Sequence, residues 1–355
     1  METGKIIRVL VVDDSIVSRE MIVRGISSDP QIEVVAVAAD PFEARDKIVE
    51  VRPDVITCDV EMPKMNGIEF ARWLLPQCFI PIIMVTAVSS AVFEAMEAGV
   101  VDFVAKPDSS LPKGTEAFIR DLISRIKTAS TASKTAWLER KKPTQSVTGN
   151  MVQDSGRIIA IGASTGGTEA IYNILRLLPP AVPGIVIVQH IPPVFSRMFA
   201  ERLDRQTSLK VKEAVNGDYV EEGSVLIAPG GQHMRIRKVG KRYQVECLHG
   251  DKVNGHCPSV DVLFESVAKE AGRNAVGILL TGMGYDGAKG LLNMRRKGSR
   301  TIGQDKASSV VYGMPKVAFD IGAVEIQTSL ENIPQVLSQL LVDDYYVFYS
   351  RNGRI

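Results

Sequence analysis

The sequence has few cysteines, histidines and aromatic residues, and it has no long apolar run. Its 355 residues include four cysteines without a CxxC pair, so neither a disulfide framework nor a structural zinc site is expected. No apolar stretch approaches the roughly 20 residues that cross a bilayer, and two aspartates follow the first apolar run before a signal-peptide core could form. We therefore expect a cytoplasmic chain with free thiols and no direct membrane insertion.

The charge is nearly balanced over the whole chain but unevenly distributed along it. A net charge of +1, with 45% hydrophobic and 23% charged residues, is typical of globular proteins, and the length predicts about two or three domains. Residues 1–126 carry −7, residues 127–155 carry +3 and residues 156–355 carry +5. A charge of +5 over 200 residues is too small to predict nucleic-acid binding.

A Ser/Thr-rich segment divides the chain. Residues 127–155 contain nine Ser or Thr residues and a basic run, with few apolar positions. Such a segment buries too little surface to offset its ordering entropy, so we predict a flexible linker there. The other predicted units are a first domain at 1–126, a second domain at 156–345 and a tail at 346–355.

Short apolar runs alternate with amphipathic patterns in both predicted domains. Five such runs precede the linker, and this alternation predicts a parallel sheet with helices on both faces. After the linker the same alternation predicts a doubly wound, mostly parallel α/β domain. A β-hairpin-rich insert is expected at about 211–248, where PGGQ at 229–232 is a hairpin signal.

Acidic, hydroxyl and basic side chains follow the predicted strands of the first domain. Asp13 and Asp14 follow the first strand, Asp59 the third, Thr86 the fourth and Lys106 the fifth. Ligands of a doubly wound sheet bind at the carboxyl ends of its strands, so we expect these side chains to lie together. Three carboxylates at one edge favour a Mg²⁺ site with open positions for waters and a phosphate. Taken singly, each of these residues is equally compatible with a solvated loop.

This pattern resembles the response-regulator receiver domain family. VVDDS, PDVITCDVEMPKMNG, Thr86 and AKP carry the resemblance, which spans about residues 6–126. The resemblance implies a flavodoxin-like domain in which Asp59 accepts a phosphoryl group from a histidine kinase, while Thr86 and Lys106 sense the phosphate. It also implies a cis peptide bond at Lys106–Pro107. The Mg²⁺ ligands that it implies are Asp13, Asp14, Asp59 and the Glu61 carbonyl.

Three strand ends of the second domain carry a hydroxyl, an imidazole and a carboxylate. Ser164 lies at a tight turn in IIAIGASTGGTEA, where glycine amides favour a developing negative charge. A phosphate loop or dinucleotide turn is the alternative, but neither GxxxxGK with Ser or Thr nor GxGxxG matches. His190 ends the run GIVIVQH, and Asp286 lies in the loop after AVGILL. Singly, a satisfied polar histidine and a helix-capping aspartate are the more common interpretations.

Together, these three side chains are a set that can hydrolyse an ester. A serine hydroxyl becomes nucleophilic when an imidazole takes its proton, and a carboxylate fixes the tautomer of that imidazole. Their order along the chain is Ser, His, Asp, whereas α/β-hydrolases have the order Ser, Asp, His. This order disfavours an ordinary lipase or esterase.

The second half resembles the catalytic domain of the chemotaxis protein-glutamate methylesterase family over about residues 157–340. GASTGG, VQHIPP, PSVDVLF, GRNAVG and TGMG-x-DGA carry the resemblance, and a receiver ahead of them matches the family layout. It implies Ser164 as nucleophile, His190 as general base and acid, and Asp286 as orienting carboxylate. The amides expected to form the oxyanion hole are those of Met283 and Thr165. Two departures from the family pattern are Cys257, where arginine is usual, and Tyr285, where asparagine is common.

The resemblance implies a phosphorylation-regulated hydrolase. It would demethylate glutamate methyl esters on methyl-accepting chemotaxis receptors and deamidate receptor glutamines, with a chemotaxis histidine kinase as phosphodonor. Hydrolysis needs no cofactor, and Mg²⁺ would serve only the phosphoryl site. We expect a monomer in which the acidic receiver blocks the catalytic crevice until it is phosphorylated.

The sequence disfavours two other functions. A DNA-binding response regulator is disfavoured by the modest charge of the second half, and a non-catalytic interaction module by the intact set of hydroxyl, imidazole and carboxylate.

Basic residues after His190 are candidates to contact glutamate-rich receptor helices, or they are solvated helix residues. These basic residues are Arg197, Arg202 and Arg205.

Overall fold

The computed structural model of the protein describes residues 5–87, 91–107, 112–139 and 156–351, without the side chains of 112–113, 139 and 343–351. The chain divides into two compact units, with the boundary between Lys134 and Thr135. None of the described helices is long and apolar enough to cross a membrane.

The first unit is a five-stranded parallel sheet with alternating helices, as the sequence predicted. Its strand order is β2-β1-β3-β4-β5, which is the flavodoxin-like order, so the predicted fold class is confirmed. The strands are β1 (Ile7–Val12), β2 (Ile32–Ala38), β3 (Val55–Asp59), β4 (Ile82–Thr86) and β5 (Asp102–Ala105). The helices are α1 (Ile16–Ile26), α2 (Pro41–Val51), α3 (Gly67–Leu74), α4 (Ala91–Glu97) and α5 (Pro112–Ala129).

Side-chain caps begin the helices of this unit just after the strand ends. The Asp40 carboxylate accepts the amides of Phe42 and Glu43 at the start of α2. At the start of α3, Asn66 and Glu69 form a reciprocal capping box. Because β3 and β4 are buried along their whole length, the polar residues at their ends lie at the edge of a closed apolar core.

The second unit contains a larger parallel sheet and a small antiparallel one. Its helices are α6 (Lys134–Glu139), which spans the boundary, α7 (Gly167–Leu175), α8 (Phe195–Gln206), α9 (Val260–Glu270), α10 (Ala288–Arg296), α11 (Met314–Asp320) and α12 (Ile333–Arg351). Its strands are β6 (Ile158–Ala163), β7 (Gly184–Gln189), β8 (Lys210–Glu213), β9 (Tyr219–Val220), β10 (Ser224–Ile227), β11 (His233–Val239), β12 (Arg242–Leu248), β13 (Ala275–Leu279), β14 (Arg300–Gln304) and β15 (Ile326–Thr328). The parallel sheet has the order β15-β14-β13-β6-β7-β10-β8.

The predicted β-rich insert is only partly a separate structure. Strands β8 and β10 extend the main parallel sheet, and only β9, β11 and β12 form the antiparallel sheet. The β11–β12 hairpin turns at Gly240, whose φ of 62° lies in the left-handed region, so the hairpin predicted at 229–232 is wrong. A turn does form at 229–232, where the Gln232 amide donates to the Pro229 carbonyl at 3.2 Å, but it leads from β10 in the parallel sheet to β11 in the antiparallel sheet. That segment packs closely on Pro192 and Pro193. A Cβ added at Gly230 would lie only 2.4 Å from the Pro193 nitrogen.

Helices extend into the first part of the predicted linker and of the predicted tail. α5 continues to Ala129 because its buried face includes Phe118, Leu122 and Ile126, and α6 follows within the predicted linker. Residues 140–155 of that linker lie outside the described residues. α12 likewise extends to Arg351, through part of the predicted tail, and 352–355 lie outside the described residues.

Candidate functional site

Ser164 and His190 follow two neighbouring parallel strands. β6 and β7 are paired up to Ala163 opposite Gln189, and the His190 amide donates to the Ala163 carbonyl at 3.2 Å. Ser164 and His190 are the next residues of the two strands, so they lie side by side at the carboxyl edge of the sheet. The Ser164 amide donates to the carbonyl of Thr281, which follows β13.

The turn at Ser164 is shaped by glycines and by a buried glutamine. Gly166 has φ 77° and begins α7, and the Gly167 amide donates to the Ser164 carbonyl at 2.6 Å. Gln189 Nε2 donates to the same carbonyl at 3.0 Å. A Cβ at Gly167 would lie 2.2 Å from Gln189 Oε1, so the close packing under the turn at Ser164 requires glycine there.

The predicted imidazole and carboxylate form a direct pair. His190 Nε2 lies 2.8 Å from Asp286 Oδ2, and the two side chains are 7% and 1% exposed. Asp286 also accepts the Ser259 hydroxyl at 2.8 Å and the Val260 amide at 2.7 Å, at the N-terminus of α9. Asn254 Nδ2 donates to Asp286 Oδ1 at 2.8 Å.

These donors keep Asp286 ionised. Burial disfavours its charge, but the hydrogen bond and charge of His190, with the hydrogen bonds of Asn254 and Ser259, hold the pKa well below its usual range. Asp261, two residues beyond Ser259, behaves oppositely, since burial and the charge of Asp286 raise its pKa. An anion fixed in this way can orient an imidazole and stabilise an imidazolium.

No described residue is a hydrogen-bond partner of the second ring nitrogen of His190. His190 Nδ1 is buried without a hydrogen bond, so the Ser164 hydroxyl does not bond to it in this structure. The His190 ring stacks on His256, with ring centroids 3.6 Å apart and an interplanar angle of 7°. Two members of the predicted set are therefore joined, and the third lies on the neighbouring strand.

The two predicted oxyanion amides lie on different loops at this edge. Met283 is 46% exposed, and in the part of the chain that the structure describes its amide donates to no protein acceptor. Gly282 fixes the loop, since its amide donates to Val311 and its carbonyl accepts the Met314 amide at 2.8 Å. Thr165 is buried, and its carbonyl accepts the Thr281 hydroxyl at 3.0 Å.

Sequence reasoning missed several residues that support this site and misplaced one. Asn254 and His256 precede the PSVDVLF motif and Ser259 lies within it, which was the available clue, but their contacts with His190 and Asp286 arise from loop packing. Arg202 cannot contact a receptor, because it is buried and pairs with Glu169 at 2.8 Å. Tyr285 is half exposed, whereas Arg197 and Arg205 are exposed on α8.

The acidic residues predicted in the first unit converge as expected from their strand ends. Carboxylate oxygens of Asp13, Asp14 and Asp59 all lie within 4.8 Å of one another. Lys106 Nζ pairs with Asp13 at 2.9 Å and with Asp59 at 2.6 Å. Thr86 is buried at the end of β4, and its carbonyl accepts the Lys106 amide.

The electrostatics of this pocket suit a hard cation. Burial raises the pKa of Asp59, and the charge of Asp13 adds to the effect, although Lys106 opposes it. Bonds to the same two carboxylates raise the pKa of Lys106 despite its burial. Clustered carboxylates of this kind match the oxygen ligands of Mg²⁺, so the residues present fit that ion.

One expectation about this pocket is wrong, and another stays a prediction. The expectation of a cis peptide bond at Lys106–Pro107 is wrong, and Lys106, which precedes this bond, pairs with Asp13 and Asp59 without it. The cis bond found in the described residues is Cys257–Pro258. Glu61 is exposed, and its amide lies 3.4 Å from Asp59 Oδ1. The role of its carbonyl as a ligand stays a prediction.

Comparison with known proteins divides the chain in the same way. Residues 159–337 match the family model described as CheB methylesterase, and residues 9–112 match the response regulator receiver domain. The crystal structure of the Thermotoga maritima CheB methylesterase catalytic domain is similar with a TM-score of 0.51 and 37% identity, covering 52% of this chain and 99% of that one.

Similar full-length proteins bear one name. The "Protein-glutamate methylesterase/protein-glutamine glutaminase 2" of Syntrophomonas wolfei is 55% identical over 337 residues, covering 94% of this chain and 98% of the relative. The protein-glutamate methylesterase/protein-glutamine glutaminase of Syntrophotalea carbinolica is 47% identical over 346 residues, covering 95% and 98%. The similarity therefore includes both units and the segment between them.

Proposed function

Because the chain belongs to the CheB methylesterase family and has a response regulator receiver domain ahead of the catalytic domain, we propose that it demethylates chemotaxis receptors. The substrates would be glutamate methyl esters and glutamine side chains of methyl-accepting receptors, in the cytoplasm. The buried pair of His190 and Asp286 beside Ser164 is the observation that supports hydrolysis most directly.

Ester cleavage would proceed through an acyl-enzyme. Ser164 attacks the ester carbonyl while His190 takes the hydroxyl proton, and Nδ1 is the nitrogen available for this because Nε2 is bonded to Asp286. The amides of Met283 and Thr165 would stabilise the tetrahedral oxyanion. Methanol leaves with the proton from His190, and water then hydrolyses the acyl group to glutamate.

Glutamine deamidation would use the same groups. The amide carbonyl replaces the ester carbonyl, and ammonia leaves with the proton from His190 instead of methanol. Both reactions give the same glutamyl ester of Ser164 and therefore the same product. No step requires a cofactor, since nucleophile, base and oxyanion donors are supplied by the protein.

The receiver pocket would accept a phosphoryl group on Asp59 from a chemotaxis histidine kinase. Mg²⁺ held by Asp13, Asp14, Asp59 and the Glu61 carbonyl would neutralise charge on the phosphoryl oxygens. Lys106 and Thr86 would contact the phosphorylated side chain, since Lys106 already bonds to Asp59. Phosphorylation would raise hydrolytic activity by shifting the chain towards an arrangement open to the receptor.

The decisive experiment is methanol release from methylated receptor membranes. We expect Ser164→Ala to abolish release and Ser208→Ala, whose hydroxyl donates to the Leu178 carbonyl elsewhere in the unit, to leave it unchanged. Full activity of Ser164→Ala would contradict the proposed chemistry.

A second measurement tests regulation. Asp59→Asn should retain basal release but lose stimulation by a small-molecule phosphodonor with Mg²⁺. A chain beginning at Gly156 should hydrolyse receptor esters faster than the unphosphorylated full chain. An unchanged rate would contradict inhibition by the receiver.

A further inference from the structure

A second imidazole lies flat against the ring of His190. The His190 and His256 rings are nearly parallel, at 7°, and their centroids are 3.6 Å apart. This is face-to-face contact over the area of one ring. Because the His190 side chain is only 7% exposed, His256 covers a ring face that would otherwise be open to other side chains or water.

The loop that carries His256 is anchored on both sides. His256 and Val253 exchange two backbone hydrogen bonds of 3.0 Å, and the Cys257 carbonyl accepts the Gly231 amide at 3.2 Å. His233 also supports the loop, because its Nε2 lies 2.8 Å from the Asp251 carbonyl and its Nδ1 accepts the Ser259 amide. These contacts fix the backbone that carries the His256 ring.

The same loop holds the partner of His190. Asn254, Ser259 and Val260 all donate to Asp286. The segment 254–260 therefore donates hydrogen bonds to the carboxylate of Asp286 and also carries the flat ring that stacks on His190. One stretch of chain determines both the position of the acceptor and the plane of the ring bonded to it.

A single hydrogen bond does not fix the plane of an imidazole. Among the described residues, the side chain of His190 is hydrogen-bonded only through Nε2, and Nδ1 has no partner that would restrain the ring. A ring held at one nitrogen can tilt about that bond, which would move Nδ1 relative to Ser164. A planar group at stacking distance restricts this tilt, whereas a side chain of similar volume without a flat face restricts it less.

We propose, on the basis of the hydrolytic function proposed above, that His256 is a positioning residue for the general base. Its ring holds the plane of His190 so that Nδ1 stays directed to the nucleophile while Nε2 stays bonded to Asp286. The property required at position 256 is a flat aromatic face. A ring nitrogen or a charge at this position is not required.

The test compares a planar with a non-planar replacement in the full-length chain. His256→Phe keeps a flat ring without nitrogens, and His256→Leu keeps apolar bulk without a plane. Methanol release from methylated receptor membranes gives kcat and KM for each variant. We expect His256→Leu to lower kcat about 10-fold or more with little change in KM, and His256→Phe to retain most of kcat.

Each other outcome contradicts the inference. Equal loss of kcat in both variants would mean that a ring nitrogen of His256 takes part, and a rise in KM alone would indicate a substrate contact. Wild-type kcat in His256→Leu would exclude any positioning role. Thermal unfolding of each variant identifies misfolding, and His256→Met replaces His256→Leu if the latter does not fold.

Failure of this inference is distinguishable from failure of the proposed function. Ser164→Ala is measured in parallel and should be inactive whatever His256 does. An active Ser164→Ala variant would contradict the proposed chemistry. If Ser164→Ala is inactive and the two His256 variants have equal kcat, only the positioning role of His256 is contradicted.

Discussion

Two aspartates, each at the carboxyl edge of a parallel sheet, have surroundings that shift their pKa values in opposite directions. Asp59 is buried beside Asp13 with Lys106 as its strongest partner, and its pKa is raised. Asp286 is buried more deeply, yet its pKa is lowered by His190 and by donors from a loop and a helix start. Burial alone would raise the pKa of both.

This difference in pKa shows that the edge of a parallel sheet places a carboxylate, and that the hydrogen-bond donors around the carboxylate determine its chemistry. A carboxylate with several fixed donors is a permanent anion, which suits a group that orients an imidazole. A carboxylate whose charge is poorly compensated by the protein favours binding of a cation, which suits a phosphoryl acceptor that works with Mg²⁺. Each prediction below pairs two residues of the same type in different surroundings.

The largest effect is expected for Asp286→Asn. The amide cannot hold the tautomer of His190 that leaves Nδ1 free to accept a proton, so kcat should fall about 10³- to 10⁴-fold, the loss typical of this substitution in serine proteases. The matched variant is Asp261→Asn, a neighbouring buried carboxylate that bonds to Asn254 and the Gly290 amide but not to His190. Receptor methanol release should stay within about 10-fold of wild type in Asp261→Asn. Equal losses would show that general disruption of the loop, rather than the His190 bond, sets the rate.

A smaller loss of activity is expected for Gly282→Ala. The added Cβ would lie 2.6 Å from Ser164 Cβ and 2.4 Å from Met314 Sδ, so the turn at Ser164 and the loop at Met283 must separate. A displacement of this kind should lower kcat about 100-fold. In the control Gly277→Ala the Cβ would lie 2.7 Å from Leu291 Cδ1 in the core. Gly277→Ala should lose stability but keep its specific activity, and equal activity loss in both would contradict the argument.

The sequence predicted the two sheets because their strands are continuous apolar runs that end in polar residues. It failed for β8 and β10, whose four-residue lengths do not distinguish a sheet edge from a hairpin. Arg202 was misjudged for a related reason, because helical spacing does not show that Glu169 on another helix neutralises it.

The residues at the site were predictable to the extent that they lie at strand ends. Ser164, His190 and the receiver aspartates follow apolar strands directly, so topology alone brings them together. Asn254 and His256 lie in a loop whose path depends on contacts with Gly231 and His233. No local pattern encodes such a path, and the stacking on His190 appears only in three dimensions.

The opposite pKa shifts of Asp286 and Asp261 also predict that their contributions to stability depend on pH in opposite ways. The pKa of Asp286 is lowered by folding, so its contribution to stability is present above the unfolded value of about 3.9 and is lost as the pH falls below it. Asp286→Asn should therefore lower the free energy of unfolding by about 2–3 kcal/mol at pH 7 and by less near pH 3.

Asp261 provides the matched comparison, because its pKa is raised and the sign is reversed. Its contribution is largest below the unfolded pKa and declines as the pH rises through the folded pKa. Urea unfolding of the wild-type chain and both asparagine variants at several pH values checks this. A gap between Asp286→Asn and wild type that widens towards acid pH would contradict the sign.

The smallest effect concerns two buried threonines. Thr281 Oγ1 donates to the Thr165 carbonyl at 3.0 Å and accepts the Val311 amide at 3.0 Å, whereas Thr57 Oγ1 in β3 has no hydrogen-bond partner among the described residues. Thr281→Val would leave buried groups unpaired and should cost about 1–3 kcal/mol of unfolding free energy. Thr57→Val removes an uncompensated hydroxyl, so stability should be unchanged or about 1 kcal/mol higher. Urea midpoints of the two variants measure the contrast, and equal destabilisation would mean that the Thr57 hydroxyl is also satisfied in solution.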